Sequence, residues 1–300
     1  MTNAIEVRSV TRFYGRVHAL DDVSFAVPEH SILGLLGRNG AGKTTIMSIM
    51  AGQDRQSSGE IEVLGHTPFE HAPTLAQISY VRDNQRYPDD YRLHHVLRIA
   101  PDFAPNWSPD VAEELADSLR IPTKTRIKKL SRGQLSSIAI VLGLASRAPI
   151  TLLDEPYLGL DVTARAVFHR MLLHDYEQHP RTIVLSTHLI DESESLFDQV
   201  VIMDQGRVVT NGDRDELMAS AWVMSGTTDA VAELVADRPV LQRTAVGGLT
   251  SVTAALVLDD DTRIRARDLR VQLAPASLQD LVAAYGADDA ESTDVKVERA

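Results

Sequence analysis

The 300-residue chain has no cysteine. That absence excludes disulfides, thiolate metal sites and cysteine nucleophiles, and it fits a reducing cytosol. Nor is there an apolar run approaching the roughly 18 residues that a membrane span needs. The opening residues Met1-Thr2-Asn3-Ala4-Ile5-Glu6 lack the basic and apolar blocks of a signal peptide. Positive charge is also scarce: the net charge is -12, which leaves little potential to displace counterions, so no nucleic-acid partner is expected. What the chain does have is a 44% apolar fraction, enough to bury a core. The expectation is a soluble, cytoplasmic protein with one large domain and an appendage, still able to dock on a membrane partner.

Apolar and polar residues alternate over 4–10 and 20–27, as in edge strands, and residues 31–36 form a short buried-strand run. A helix is expected from Lys43 to about Ala51, with strands at 61–64 and 78–81. From about Tyr91 the spacing becomes helical, interrupted by Pro101, Pro105 and Pro109, which reads as a helical insertion. Segments 134–146, 150–153, 161–178, 182–186, 189–197 and 199–204 then alternate helix and strand, the pattern of a parallel sheet covered on both faces. Gly206-Arg207 and Asn211-Gly212 read as turns of a terminal hairpin. Beyond it, strands are expected at 222–224, 241–246, 252–258 and 269–273, and helices at 228–236 and 277–285. The expected domains are 1–218, with a helical subdomain at about 91–135, then an α+β appendage at 219–286 and a disordered acidic tail at 287–300.

Gly37-Arg38-Asn39-Gly40-Ala41-Gly42-Lys43-Thr44 satisfies the phosphate-loop pattern. Its glycines let consecutive backbone N–H groups turn inward on an anion, and the following helix adds its positive end. Lys43 would neutralise β and γ phosphates, and Thr44 would hold Mg²⁺ through its hydroxyl. Asp154 leaves the buried strand 150–153 where open α/β sheets bind ligands and is placed to hold the Mg²⁺ water shell. Glu155, one residue on, can polarise an attacking water. Read alone, Asp154-Glu155-Pro156 is equally a helix or turn start. His188 follows a second apolar strand and reaches the same crevice, although a lone histidine is often only a surface or capping residue. Asp161 is either on a dimer seam or simply the N-cap of the next helix. Tyr14 can stack on a base or be an ordinary edge tyrosine. Ser131 can cap the helix that follows Leu130-Ser131-Arg132-Gly133-Gln134, so that this helix too faces an anion.

Together these residues resemble the ATP-binding cassette (ABC) family, from about Ile5 to Leu217. The resemblance implies a P-loop NTPase (RecA-like) α/β core with an N-terminal antiparallel β subdomain, an inserted helical subdomain and the small C-terminal α+β appendage. It makes Tyr14 the adenine-stacking aromatic, and Gly37, Arg38, Asn39, Gly40, Ala41, Gly42, Lys43, Thr44 and Thr45 the Walker A loop. Leu130–Gln134 becomes the signature, with Ser131, Gly133 and Gln134 facing the ATP of the opposite subunit. Residues 150–155 become the Walker B strand with catalytic Glu155, 159–161 the D-loop and His188 the switch histidine. The family's glutamine after strand 78–81 is replaced by Arg82-Asp83-Asn84-Gln85, so Asp83 and Gln85 are expected metal ligands only as a pair. Tyr87-Pro88-Asp89-Asp90 and residues 276–281 are similar to ATPase subunits of bacterial ABC-2-type exporters. That likeness implies an exporter subunit on the cytoplasmic face of the cell membrane, hydrolysing ATP with Mg²⁺. Its partners would be separately encoded permease subunits and a second cassette, identical or related. The alternatives are a soluble non-transport ABC ATPase and a regulatory nucleotide sensor; about 85 residues without heptads between phosphate loop and signature, and a single cassette, argue against chromosome-organising and translation types.

Overall fold

The computed structural model describes residues 2–82, 85–236 and 238–286. The chain divides into two compact units between Asn211 and Gly212.

The first unit opens with strands β1 (Asn3–Tyr14), β2 (Val17–Pro28) and β3 (Ile32–Leu36), helix α1 (Lys43–Met50) and β4 (Ser58–Val63). A short helix α2 (Ala72–Leu75) precedes β5 (Ile78–Arg82); α3 (Leu93–Ile99), α4 (Pro109–Ser118) and α5 (Arg132–Ala145) follow. The unit continues with β6 (Ile150–Asp154), α6 (Val162–Gln178), β7 (Thr182–Thr187), α7 (Ile190–Ser193), β8 (Gln199–Asp204) and β9 (Arg207–Asp213). β2-β1-β4 make an antiparallel sheet, and β5-β6-β7-β3-β8-β9 a six-stranded one whose β5, β6, β7, β3 and β8 run parallel. Strands β3, β6 and β7 are buried throughout, the signature of a sheet covered on both faces. One core joins the two sheets with α1: it takes in Ile5, Leu20 and Val23 of the antiparallel sheet, Ile46, Met47 and Met50 of α1, and Leu33, Leu152 and Val184 of the parallel one. This is the expected P-loop NTPase architecture with its antiparallel subdomain.

Two local readings change. Asn211-Gly212 lies within β9 rather than in a turn; the hairpin turns at Gln205-Gly206, both with positive φ. Pro109 does not interrupt the helical subdomain but starts α4, where its missing N–H costs nothing, behind the Ser108 cap.

The second unit holds α8 (Arg214–Ala219), β10 (Ala221–Thr227), α9 (Thr228–Val235), β11 (Val240–Val246), β12 (Leu249–Ala255), α10 (Asp260–Asp268), β13 (Gln272–Pro275) and α11 (Leu278–Tyr285). From β10 on, the order is βαββαβ, and the antiparallel sheet runs β11-β12-β10-β13, a ferredoxin-like split-βαβ topology. Met224, Val252 and Ala254 pack on Val231 and Leu234 of α9 and Ala266 of α10. The sequence reading misses α10, whose residues DDTRIRARD carry no apolar stripe and bury only Thr262 and Ala266; the expected strand 269–273 shifts to Gln272–Pro275 as a result. Gly247-Gly248, both at positive φ, close the β11–β12 hairpin as a two-residue turn requires, so β12 starts three residues before the expected 252. The acidic tail expected at 287–300 lies outside the described residues.

A buried ionic group sets the strands that matter most. Asp175 on α6 accepts two hydrogen bonds from Arg147, at 3.0 and 2.8 Å, and pairs with Arg181 at 2.8 Å. Arg147 lies just before β6 and Arg181 just before β7. Burial lowers the Arg181 pKa, and the Asp175 charge opposes that shift. Replacing Asp175 by Ala strands two guanidiniums in a largely dry site, so Asp175→Ala should cost about 3–5 kcal/mol, read from the urea unfolding midpoint of the full chain.

Candidate ATP site

Three neighbouring strand exits assemble the site. Leu36 at the end of β3 pairs with Thr187 at the end of β7, and Asp154 at the end of β6 pairs with Ser186. Residues 37–42, the Asp154-Glu155 pair and His188 therefore emerge at one edge of the sheet, the edge at which open α/β sheets bind ligands.

The loop is cut to fit a backbone cradle. Gly37, Gly40 and Gly42 have φ of 142°, 86° and 100°. A Cβ on Gly37 would lie 2.1 Å from the Met203 carbonyl oxygen, and one on Gly42 would lie 2.8 Å from that of Ala19. Only glycine fits at either position. Arg38, Asn39 and Gly40 are exposed, Ala41 is buried, Thr44 is exposed and Thr45 half-buried. α1 starts without a side-chain cap, which leaves its first amides and positive dipole end for an anion. Lys43 is buried and donates to the carbonyls of Gly37 (2.7 Å) and Arg38 (3.1 Å), with Nζ 3.8 Å from Glu155 Oε1. Burial holds its pKa below the ordinary lysine value, opposed by the charges of Glu155 and Asp154.

Asp154 is buried, and its Oδ1 accepts a hydrogen bond from Ser186 Oγ at 2.7 Å. Glu155 sits at φ +49°, a left-handed conformation costing about 1–2 kcal/mol for a residue with a Cβ. The turn carries its carboxylate between Lys43 and His188, whose Nδ1 stands 2.6 Å from Oε2. Oε1 is buried with no hydrogen-bond partner. Tyr80 is pushed to a pKa of about 12, by burial first and then by the Asp154 charge. The Thr44 hydroxyl and the Asp154 carboxylate are hard oxygen donors of the kind Mg²⁺ takes in small number, phosphate oxygens and water completing its shell. The donor set fits that ion. Asp83 lies outside the described residues. Gln85 lines a groove of about 770 Å³ with Ile78, Tyr87, Tyr91, Phe103 and Trp107. There its Oε1 is buried without a hydrogen-bond partner.

Ser131 caps α5: its Oγ accepts from the Gln134 amide at 3.2 Å, and its own amide donates to Gln134 Oε1 at 2.9 Å. This reciprocal box fixes both side chains at the helix start. Gly133 touches the 157–161 turn so closely that a Cβ would lie 2.2 Å from the Gly159 carbonyl oxygen, and Ser136 Oγ donates to the Leu158 carbonyl at 2.7 Å. Asp161, exposed, caps α6 by accepting from the Ala164 amide at 2.8 Å.

Tyr14 is 46% exposed at the β1–β2 hairpin. Its hydroxyl donates to Asp54, and the Arg12 guanidinium lies 4.5 Å from its ring centroid. Burial pushes the Asp54 carboxyl up, but hydrogen bonds from Tyr14, the Arg55 amide and Arg12 outweigh it and hold the pKa below the usual range. The sequence reading passes over Arg12, Asp54, Ser186 and Tyr157. Tyr157 is buried, receives the Ser193 hydroxyl at 3.1 Å and stands 2.8 Å from His169 Nε2, tying the β6 exit to α6 and α7. Ser186 was findable: laying the two buried strands side by side sets it opposite Asp154.

Fold and loop define a P-loop nucleotide-binding protein. The ABC transporter family model matches residues 20–158. The aliphatic sulfonates import ATP-binding protein SsuB of Mycobacterium avium is 31% identical over 218 residues, covering 68% of this chain and 79% of the relative. The Nod factor export ATP-binding protein I of Neorhizobium galegae is 29% identical over 297 residues, covering 93% and 84%. A solved ATP-binding subunit of an ABC transporter aligns with a TM-score of 0.64 at 26% identity, over 72% of this chain and 92% of that one. The chain belongs to the ABC transporter family and is an ATP-binding, ATP-hydrolysing transporter subunit. Among the described residues no helix is long and apolar enough to cross a membrane.

The Gly133–Gly159 contact yields a prediction that leaves the phosphate loop untouched. Both sides of the clash are backbone, so Gly133→Ala must displace the start of α5 from the turn, at about 1–3 kcal/mol. Equilibrium binding of ATP to the variant should match wild type within about twofold, while steady-state hydrolysis should fall by about tenfold or more.

Proposed function

We propose that this chain is the ATPase of an ABC exporter, pairing head-to-tail with a second cassette, identical or related, around two Mg-ATP. Glu155 is the general base: it takes a proton from the water that attacks the γ-phosphate, and His188, on its Oε2, orients it. The observation that carries this is the Glu155 carboxylate held between Lys43 and His188, its Oε1 buried and without a hydrogen bond. Lys43 and the amides of 37–42 balance charge on the phosphates. Thr44 and Asp154 would hold Mg²⁺, which supplies neutralisation of the phosphate oxygens. Tyr14 stacks on adenine. Ser131, Gly133, Gln134 and Asp161 serve the neighbour's nucleotide, so each chain holds half of two sites.

Export is favoured over import by reach. The export relative aligns through the second unit, whereas the import relative covers 68% of the chain. The partner is an integral membrane permease gripping the aromatic groove that contains Gln85 and Tyr87, which puts the chain on the cytoplasmic face of the membrane. Tyr87 supports that reading: burial raises its pKa, and its hydroxyl is buried without a hydrogen-bond partner, as suits a surface completed by another protein.

Glu155→Gln keeps the shape of the site and removes the base. In saturating Mg-ATP it should hydrolyse at least ~100-fold more slowly than wild type and elute from size exclusion as a dimer. A variant that stays monomeric would sink the head-to-tail reading.

A further inference from the structure

We propose that Ser186 is a positioning residue for hydrolysis, whose single hydroxyl clamps the Asp154-Glu155 pair in its working conformation; the proposal rests on Glu155 and Asp154 acting as argued above. Ser186 is fully buried at the end of β7, directly opposite Asp154 in the parallel register. Its Oγ donates to Asp154 Oδ1 at 2.7 Å and accepts from the Glu155 amide at 3.0 Å. The Ser186 carbonyl takes the same amide at 3.2 Å. One residue thus holds both the Asp154 carboxylate and the Glu155 amide where the chain turns out of β6.

That peptide needs holding. Glu155 is the acid-pair residue at positive φ, and such strain persists only where the surroundings over-determine it. If Glu155 relaxed toward the extended strand conformation, its side chain would leave the space between Lys43 and His188. The clamp requires a group that donates to a carboxylate and accepts from an amide through one atom, which among side chains of this size is a hydroxyl. Alanine removes both bonds and leaves a buried carboxylate oxygen short of a donor. Threonine keeps the hydroxyl and suits a strand. Ser186 is fully buried with its hydroxyl engaged by Asp154 and Glu155, so its effect belongs on the chemical step and on the geometry of Asp154 rather than on nucleotide affinity.

Full-length Ser186→Ala, Ser186→Thr and Glu155→Gln are compared with wild type in steady-state hydrolysis. Mn²⁺ affinity is measured separately by electron paramagnetic resonance in the presence of ADP. Ser186→Ala should lose about tenfold or more in kcat with the ATP KM within about twofold, and should bind Mn²⁺ more weakly while its melting temperature falls by only a few degrees. Ser186→Thr should restore most of kcat and the Mn²⁺ affinity. A Ser186→Ala enzyme with wild-type kcat and Mn²⁺ affinity overturns the proposal. So does loss of kcat that follows a collapse in melting temperature and that Ser186→Thr fails to restore, because that is fold damage alone. If Glu155→Gln hydrolyses like wild type, the reading of the acid pair falls, and the clamp falls with it for that separate reason.

Discussion

The parallel register of β6, β7 and β3 is the constraint on which the nucleotide end of this molecule depends. Asp154 stands opposite Ser186, and Leu36 opposite Thr187. A one-residue slip in β7 would turn each of its side chains to the opposite face of the sheet and move His188 away from Glu155. Because all three strands are buried on both faces, no alternation of polar residues fixes their register. It is fixed at the strand starts by the Arg147–Asp175–Arg181 group and at the strand ends by the Ser186 hydroxyl. Ion pairing at one edge and hydrogen bonding at the other thus frame an apolar stretch that would pack almost equally well one step out of line.

The charge arrangement follows from that frame. Lys43 is buried, two carboxylates lie near it, and its Nζ is satisfied mainly by loop carbonyls. A cation held by the backbone of its own loop stands where an anion's charge would arrive, and it reaches Glu155 at 3.8 Å without a tight ion pair. The dipole end of α1 adds to it. Little reorganisation would be needed for phosphate oxygens to enter there, and such preorganisation is the larger part of what a phosphoryl-transfer site supplies.

Much of this was legible before any coordinates, because phosphate loops are local: Gly37, Gly42, Lys43 and Thr44 lie within eight residues, and sterics alone demand the glycines. The Ser131 cap was legible for the same reason. Non-local pairings were not. Asp54 meets Tyr14 across 40 positions, a distance at which sequence carries no periodicity, and Ser186, 32 positions from Asp154, emerges only once the two buried strands are aligned. In the second unit, helix α10 escaped notice because propensity and a capping Asp259 build it rather than an apolar stripe. The Gly247-Gly248 turn carried a clear signal, and its dipeptide would have set the strand starts correctly.

The signature helix α5 starts directly behind its Ser131 cap. Its first turn is polar and capped, exposed at Ser131 and Arg132 and half-buried at Gly133 and Gln134, and it carries no acidic residue of its own. What its own chain supplies is the Gly133–Gly159 contact and the Ser136–Leu158 hydrogen bond. These join α5 to the turn that leaves Asp154-Glu155, and Tyr157 joins that turn in its turn to α6 and α7. A small shift of α5 therefore has to be carried by the 157–161 turn or break a contact that has no slack. The start of α5 and the Asp154-Glu155 exit of β6 are therefore mechanically one piece.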